Sequence, residues 1–357
     1  MFQTIMLDTA AKLEGERSPS AMYYLLSGKR SSQTIQDSVL FQLDSYFGIL
    51  PGLSQPVFEQ MFYQLVRDQQ IIVNQNSMFV TDSGRVQLAE GISQYKQLSM
   101  LQGLNYHETA KTFWLRLLLF IQTVSNILKG EQRFLPIVEE ANIIRWVKSF
   151  YVKHRNHIDA IFHEMYEETK QLLSGLDHHH AEIMVSRMNG YRHVGKSKEQ
   201  LAYELGKSIY DIEIYILSGI HYFLKAIEKE QERYKRLQQF IPEQHAEGLL
   251  TRSARKTWEL LNNGMKATDI AKRRRLRIGT VHDHIVEMAF VLREFDISPY
   301  VSKGDMNAIS DVLQTDSTKR LKQIKQQLPD HISYFQIRLV MAKYYKQANQ
   351  IEEMADG

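Results

Sequence analysis

Cysteine is absent from the 357 residues, which excludes a disulfide framework and thiolate zinc sites and fits a reducing compartment. Proline is scarce, at seven residues, and glycine-rich stretches are few, so little interrupts helices. A dominant charge sign is missing too. With 44 Lys and Arg against 41 Asp and Glu, the formal charge is +3, and affinity for a polyanion must come from local clustering. The most apolar stretch, Phe113–Leu128, contains Arg116, Gln122, Ser125 and Asn126. It falls short of the ~20 apolar residues a membrane span needs and reads as a buried helix. Met1–Lys12 lacks the basic start and long apolar stretch of a secretory signal, so a cytoplasmic, nucleoid-associated protein is expected.

What is present is a globular chain, with 43% hydrophobic residues supporting real cores and a length that predicts two or three domains. The expected fold class is mainly α and multi-helix, in three segments. In segment 1–100, helical periodicity at Ser20–Leu26, Ser31–Asp44 and Pro56–Asp68 precedes Ile71–Val73 and Met78–Thr81. These two short runs flank Asn74–Ser77 and predict a β-hairpin with a four-residue loop. Asp82-Ser83-Gly84 then opens another helix. Helices followed by a hairpin is the order of a winged-helix-like domain, and equally that of a generic small α+β domain. Segment 101–240 reads as consecutive amphipathic helices at Phe113–Leu128, Ile137–His154 and Ile158–Leu173. Its charged run Glu228–Arg236 is a solvated helical face or a connector. Segment 245–347 holds a basic cluster and a further helical subdomain.

Within that cluster, Ser253–Leu261 is a helix ended by Asn262-Asn263-Gly264. Lys266–Ala271 starts a second helix and Gly279–Ile285 a third. Ile270, Leu276, Val281 and Ile285 supply the small core that a helix-turn-helix needs, and Ala271 lets the helices approach. Residues 252 to 277 include nine Lys or Arg and two acids, with five of the nine in Lys272–Arg277. Such density is the footprint of phosphate contact, or else a solvated face for protein contacts. On the first reading, Lys272, Arg273, Arg274, Arg275 and Arg277 lie at the turn and contact phosphates. Thr280, His282 and Asp283 lie on the first turn of the recognition helix.

The runs "TDIAKRRRLRIGTVHDHI" and "DHISYFQIRLVMAKYY" resemble the helicase-associated helix-turn-helix domain at the C-termini of some RecQ-type helicases. With "YYLLSGKRSSQTIQD" near the start, most of the chain resembles the YpbB family of Bacillota, stand-alone proteins usually encoded beside such a helicase. The resemblance implies a helicase accessory protein with DNA and a RecQ-type helicase as partners, in repair or recombination. The sequence departs from the pattern at two positions. Arg275 stands where the turn usually has glycine, and Arg277 where Ser or Thr would cap the recognition helix.

The same frame recurs near 198–217. Counting from Ala202, Gly206, Ser208, Ile212 and Ile216 fall at the motif's positions, resembling the DNA-binding region of sigma factors. Glu204, Asp211 and Glu213 suit this copy to a structural or protein-binding role. Just upstream, Gly190–Ser197 (GYRHVGKS) matches the phosphate-loop pattern. No apolar strand precedes it, however, and Ser197 with Gln200 forms a capping box instead. His178-His179-His180 reads as a polar loop and helix start. His154, His157 and His163 read as surface residues. No cofactor or metal is expected. Tyr344 and Tyr345 beside Lys343 and Lys346 suit base stacking or a packed helix end. With no nucleophile or metal motif in view, a non-enzymatic DNA-binding accessory or adaptor protein is expected. The alternatives are a sequence-specific transcriptional regulator and a pure protein adaptor without DNA binding.

Overall fold

A computed structural model describes residues 1–243, 250–292, 294–315 and 321–355, with side chains as far as Tyr345. Its elements are helices throughout except for one antiparallel hairpin among the described residues. The N-terminal third contains α1 (Phe2–Lys12), α2 (Pro19–Leu26), α3 (Ser32–Leu40), α4 (Gln55–Arg67), β1 (Ile71–Asn74), β2 (Ser77–Val80) and α5 (Asp82–Gln94). The middle contains α6 (Gly103–Tyr106), α7 (Thr109–Leu128), α8 (Ala141–His154), α9 (Ile158–Ser174), α10 (His178–Ser186), α11 (Lys198–Leu205), α12 (Ile209–Lys229) and α13 (Lys235–Gln238). The last third contains α14 (Arg252–Asn262), α15 (Ala267–Arg274), α16 (Ile278–Val291), α17 (Lys303–Thr315), α18 (Leu321–Gln326) and α19 (Tyr334–Ala355).

The hairpin forms where sequence alternation placed it, but its loop is shorter than the four residues expected. Asn74 pairs with Ser77, leaving Gln75 and Asn76 as a two-residue turn with φ of 46° and 75°. Two successive positive φ values match the right-handed twist of the strands, so the ladder closes two residues further out. The helix expected over Ser31–Asp44 stops at Leu40, because Gln42 takes φ 54° and a 3-10 turn follows at Asp44–Tyr46. The helix expected from Ile137 begins at Ala141. Gln122 of α7 holds the preceding segment extended, donating to Leu135 O at 2.9 Å and accepting from Ile137 N–H at 3.0 Å.

The chain divides into two compact units, Met1–Phe2 with Glu90–Gln244, and Gln3–Ala89 with His245–Gly357. Most of segment 1–100 of the sequence reading therefore shares a unit with 245–347, while residues 1–2 and 90–100 fall in the other unit with 101–240. In the first unit α7 and α12 form the core. Phe113, Leu117 and Phe120 of α7 and Ile212, Ile216, Phe223 and Ile227 of α12 are buried. Helices α8 and α9 pack on α7, and α10 and α11 on α12. Phe120, Phe150 and Phe240 close one end, with ring centroids 5.1–5.5 Å apart.

In the second unit α16 is the central helix, packed against α3, α14, α15 and α19. Every residue from His284 to Phe290 is buried, so α16 is covered on all sides beyond its first turn. A helix apolar on only one stripe would need a single neighbour; one covered all round needs several. Ile35 and Val39 of α3 and Ile337, Val340 and Met341 of α19 are buried in this unit. That requirement brings the two ends of the sequence into one unit. The carboxyl group of Glu287, fully buried on α16, marks the seam. It accepts from the Ser32 hydroxyl at 2.6 Å, from the Thr251 hydroxyl at 3.1 Å and from the Thr251 backbone N–H. Thr251 in turn caps α14 by accepting from Ala254 N–H.

Candidate nucleic-acid interface

The basic turn is built by three short helices. α14 ends at Asn263 and Gly264, the latter at φ 78°, the conformation that favours glycine after a helix. α15 follows, with Ile270 and Ala271 turned to the core and Lys272, Arg273 and Arg274 in its last turn. Cations there oppose the negative end of the helix dipole. The helix terminates at Arg275, in the left-handed conformation at φ 53° and ψ 44°, and Leu276 N–H closes the cap onto Ala271 O at 2.9 Å. Arg275 thus does the geometric work of the glycine usual in this turn, with a Cβ that makes the conformation unfavourable by roughly 1 kcal/mol. Arg275→Gly is expected to raise the thermal unfolding midpoint of the protein while weakening nucleic-acid binding. A fall in midpoint would contradict the strain argument.

α16 starts after Arg277, whose φ of −69° and ψ of 146° are those of an N-cap residue but whose side chain makes no capping bond. A guanidinium has no acceptor, so the Arg277 side chain caps none of the first amides of α16, although Thr280 N–H donates to Arg277 O at 3.0 Å. The space before Gly279 is open, with no heavy atom within 4 Å of where a Cβ would stand. Lys272, Arg273, Arg275 and Arg277 are exposed around this turn. An anion would meet there an electropositive helix end and four exposed cations.

Arg274 is different. Its guanidinium turns back onto α14, donating to Ser253 O at 2.9 Å, to Ser253 Oγ at 3.0 Å and to Thr257 Oγ1. Thr257 Oγ1 lies 2.8 Å from His284 Nδ1. Arginine can only donate, so the threonine hydroxyl accepts from Arg274 and links that guanidinium to His284. Of the five basic residues at the turn, Arg274 is the one committed to holding α15 on α14 and α16. Thr280 and His282 are half-buried on the first turn of α16. His282 lies parallel to Phe335 of α19, centroids 4.0 Å apart, and burial lowers its pKa despite neighbouring Asp283. Asp283 pairs with Arg338 at 2.6 Å, and Arg338 also donates to Gln36 of α3. Tyr344 and Tyr345 meet edge to face on α19, and the side chain of Lys346 lies outside the described residues.

Burial, and then the charge of Arg274, pushes His284 down to about 4 from its ordinary 6.5. The unfolded chain takes up this proton as pH falls through the ordinary value, whereas the folded unit resists until about 4. Stability from neutral His284 is therefore complete above the ordinary value and lost as pH falls across that window. His284→Gln is expected to flatten the decline of the urea midpoint between about pH 7 and about pH 5. An unchanged slope would mean that His284 does not carry it.

The segment 253–341, from α14 to α19, matches the family model described as a helix-turn-helix domain. Over 348 residues the chain is 30% identical to Protein YpbB of Bacillus subtilis (strain 168), covering 97% of this chain and 98% of that protein. The chain belongs to the YpbB family. No solved structure matches it. The family's helix-turn-helix domain therefore extends past the motif to α19, the helix that covers α16.

The second helix-turn-helix frame forms as well. Gly206 takes φ 59° after α11, and Ser208 caps α12 by accepting from Asp211 N–H at 3.1 Å. Its first turn is occupied within its own unit. Phe2 N–H donates to Asp211 at 2.8 Å, and the Phe2 ring packs 5.4 Å from Tyr210. Most of the remainder of α12 is core, with Lys225, Glu228 and Lys229 exposed. In Gly190–Ser197 several backbone amides are already hydrogen-bonded within the protein. Gly190 and His193 pair with each other, Tyr191 N–H donates to Ser125 Oγ, and Gly195 N–H to Asn189. Ser197 with Gln200 makes the full capping box, and Lys196 pairs with Glu204 at 2.5 Å. These are the amides and the lysine that would have to meet a phosphate in a nucleotide loop. His178, His179 and His180 open α10, where His180 is buried against Tyr215 O at 2.6 Å. His157 and His163 are exposed and His154 is half-buried. No helix of the described residues is long and apolar enough to cross a membrane.

Glu287, Arg338 and Phe335 escaped the sequence reading. A Glu in an otherwise apolar helical run, VEMAF, was the available signal for the first. Nothing in the sequence pairs the other two with the turn.

Proposed function

We propose that the protein is a non-enzymatic DNA-binding accessory factor whose α15–α16 turn holds nucleic acid mainly through phosphates. The reading rests on one observation: four exposed cations surround a helix N-terminus that has no side-chain cap and whose remaining length is buried. A recognition helix reads base edges with its N-terminal residues. On α16 those residues include Thr280 and His282, which are half-buried, with His282 stacked on Phe335, so positioning on the backbone suits the turn better than base readout, and a sequence-specific regulator is the weaker reading. Family membership and the resemblance to helicase-associated domains support a RecQ-type helicase as partner, in repair or recombination. The protein would tether a duplex or fork while other surfaces hold the enzyme, in the cytoplasm at the nucleoid.

The test is titration of labelled fork, duplex and single-stranded DNA at two salt concentrations, with and without a RecQ-type helicase from the same organism. Affinity that falls steeply with salt and varies little with sequence is expected, together with a ternary complex. DNA binding insensitive to salt, or confined to one sequence, would overturn the phosphate-tether reading. A stable helicase complex with no DNA binding would leave a pure adaptor.

A further inference from the structure

A line of rings runs from α14 to the first turn of α16. Trp258 lies 6.0 Å from Phe295, and Phe295 lies 6.4 Å from Tyr300 with the two planes 9° apart. Tyr300 meets Phe335 edge-on at 5.8 Å, and Phe335 stacks on His282 at 4.0 Å and 12°. All five are half-buried, not sealed in the core. Trp258 and Phe295 rest on the cluster of Leu250, Ala254, Met288 and Leu292, which supports that end of the line from beneath. The other end is His282, five residues past Arg277 and beside the start of α16.

We infer that this line of rings is a stacking platform for the bases of single-stranded nucleic acid, continuous with the phosphate contact at the α16 turn. It deepens the proposed function and rests on it. Three features argue for a strand of bases. Aromatic faces accept any base without regard to sequence, and successive rings suit successive bases. The platform begins where phosphates are expected. Two of its nearby acids sit close to cations: Asp283 is neutralised by Arg338, and Asp296, held by Ser298, lies close enough to the exposed Lys343 to feel its charge, while Glu259 and Glu294 are exposed next to Trp258 and Phe295. The tether then holds a junction, with duplex phosphates on Lys272, Arg273, Arg275 and Arg277 and an unpaired strand along the rings.

The experiment uses the full-length protein, with oligothymidylate, oligouridylate and a duplex as probes. Wild type should bind the single strands with quenching of Trp258 fluorescence, and Trp258→Phe should remove most of that quench. Tyr300→Leu with Phe335→Leu keeps apolar bulk and removes two π-faces. It should weaken oligothymidylate binding by about tenfold or more, with duplex affinity changed by less than about twofold. The oligouridylate arm decides between DNA and RNA as the source of the strand. Single-strand binding equal in the double variant and wild type overturns the inference, as does binding without Trp258 quenching. Should the double variant prove unfolded by circular dichroism, the Trp258 arm alone decides. A wild type that binds duplex but no single strand sinks this inference and spares the tether. A wild type that binds neither sinks both.

Discussion

Replacing Lys272, Arg273, Arg275 and Arg277 together by alanine is expected to lower duplex affinity on the order of a hundredfold and to flatten its salt dependence. Each phosphate contact released lowers the slope of log affinity against log salt by about 0.9, so four lower it by up to about 3.6. The fold should survive, because all four side chains are exposed, and the contact from Arg273 to Met265 Sδ is long, at 3.5 Å. Arg274 is left out of the set deliberately. Its bonds to Ser253 and Thr257 hold α15 in place, so Arg274→Ala should lower the unfolding midpoint and change the salt slope less than any of the other four. Charge reversal across Arg273–Arg275 would confuse the two effects. Anisotropy titrations at several salt concentrations, beside thermal melts, separate them. An unchanged salt slope in the fourfold variant would remove this patch from the interface.

Glu287→Ala is expected to destabilise the second unit by roughly 3 kcal/mol. The substitution deletes the acceptor of two hydroxyls and one backbone N–H in a site closed to water, and it opens a cavity beside α3. Thr251 would also lose the bond that orients its cap on α14. Chemical denaturation with Trp258 as the probe would measure the loss, since the indole lies on α14. A change below about 0.5 kcal/mol would mean that water or a rearranged hydroxyl replaces the carboxyl group. The variant also tests the architecture. Glu287 joins residues 255 positions apart in sequence, so losing it should loosen the hold of α3 on α16. Hydrogen exchange in α3 should rise with exchange in α14.

Much of this molecule was legible in local pattern. Apolar periodicity located α7 and α9 within a few residues, because helices that bury a stripe repeat it every three or four positions. Ser197 and Gln200 announced the start of α11, since a capping box is complete within four residues. Asn263-Gly264 and Gly206 marked their turns for the same reason: a left-handed residue is a local requirement. The α15–α16 motif was visible as spaced apolar positions, and its charge as a run of basic residues.

Other features could not be read locally. Within Lys272–Arg277 every residue carries the same sign except Leu276, yet successive side chains on a helix point about 100° apart. Which of them faces Thr257 depends on where α14 lies, so Arg274 could not be told from its neighbours. The extent of α16 open to a ligand was likewise undecided, because α3 and α19 come from distant parts of the chain.

The sequence by itself determined that a basic helix-turn-helix stands in the last third of a largely helical chain. It did so because caps, turns and apolar periods are interactions among residues a few positions apart. The tertiary structure alone decided that α16 presents only its first turn, that Arg274 is structural and that five rings form one line. Those facts depend on packing between helices far apart in sequence, and no local pattern encodes which faces meet.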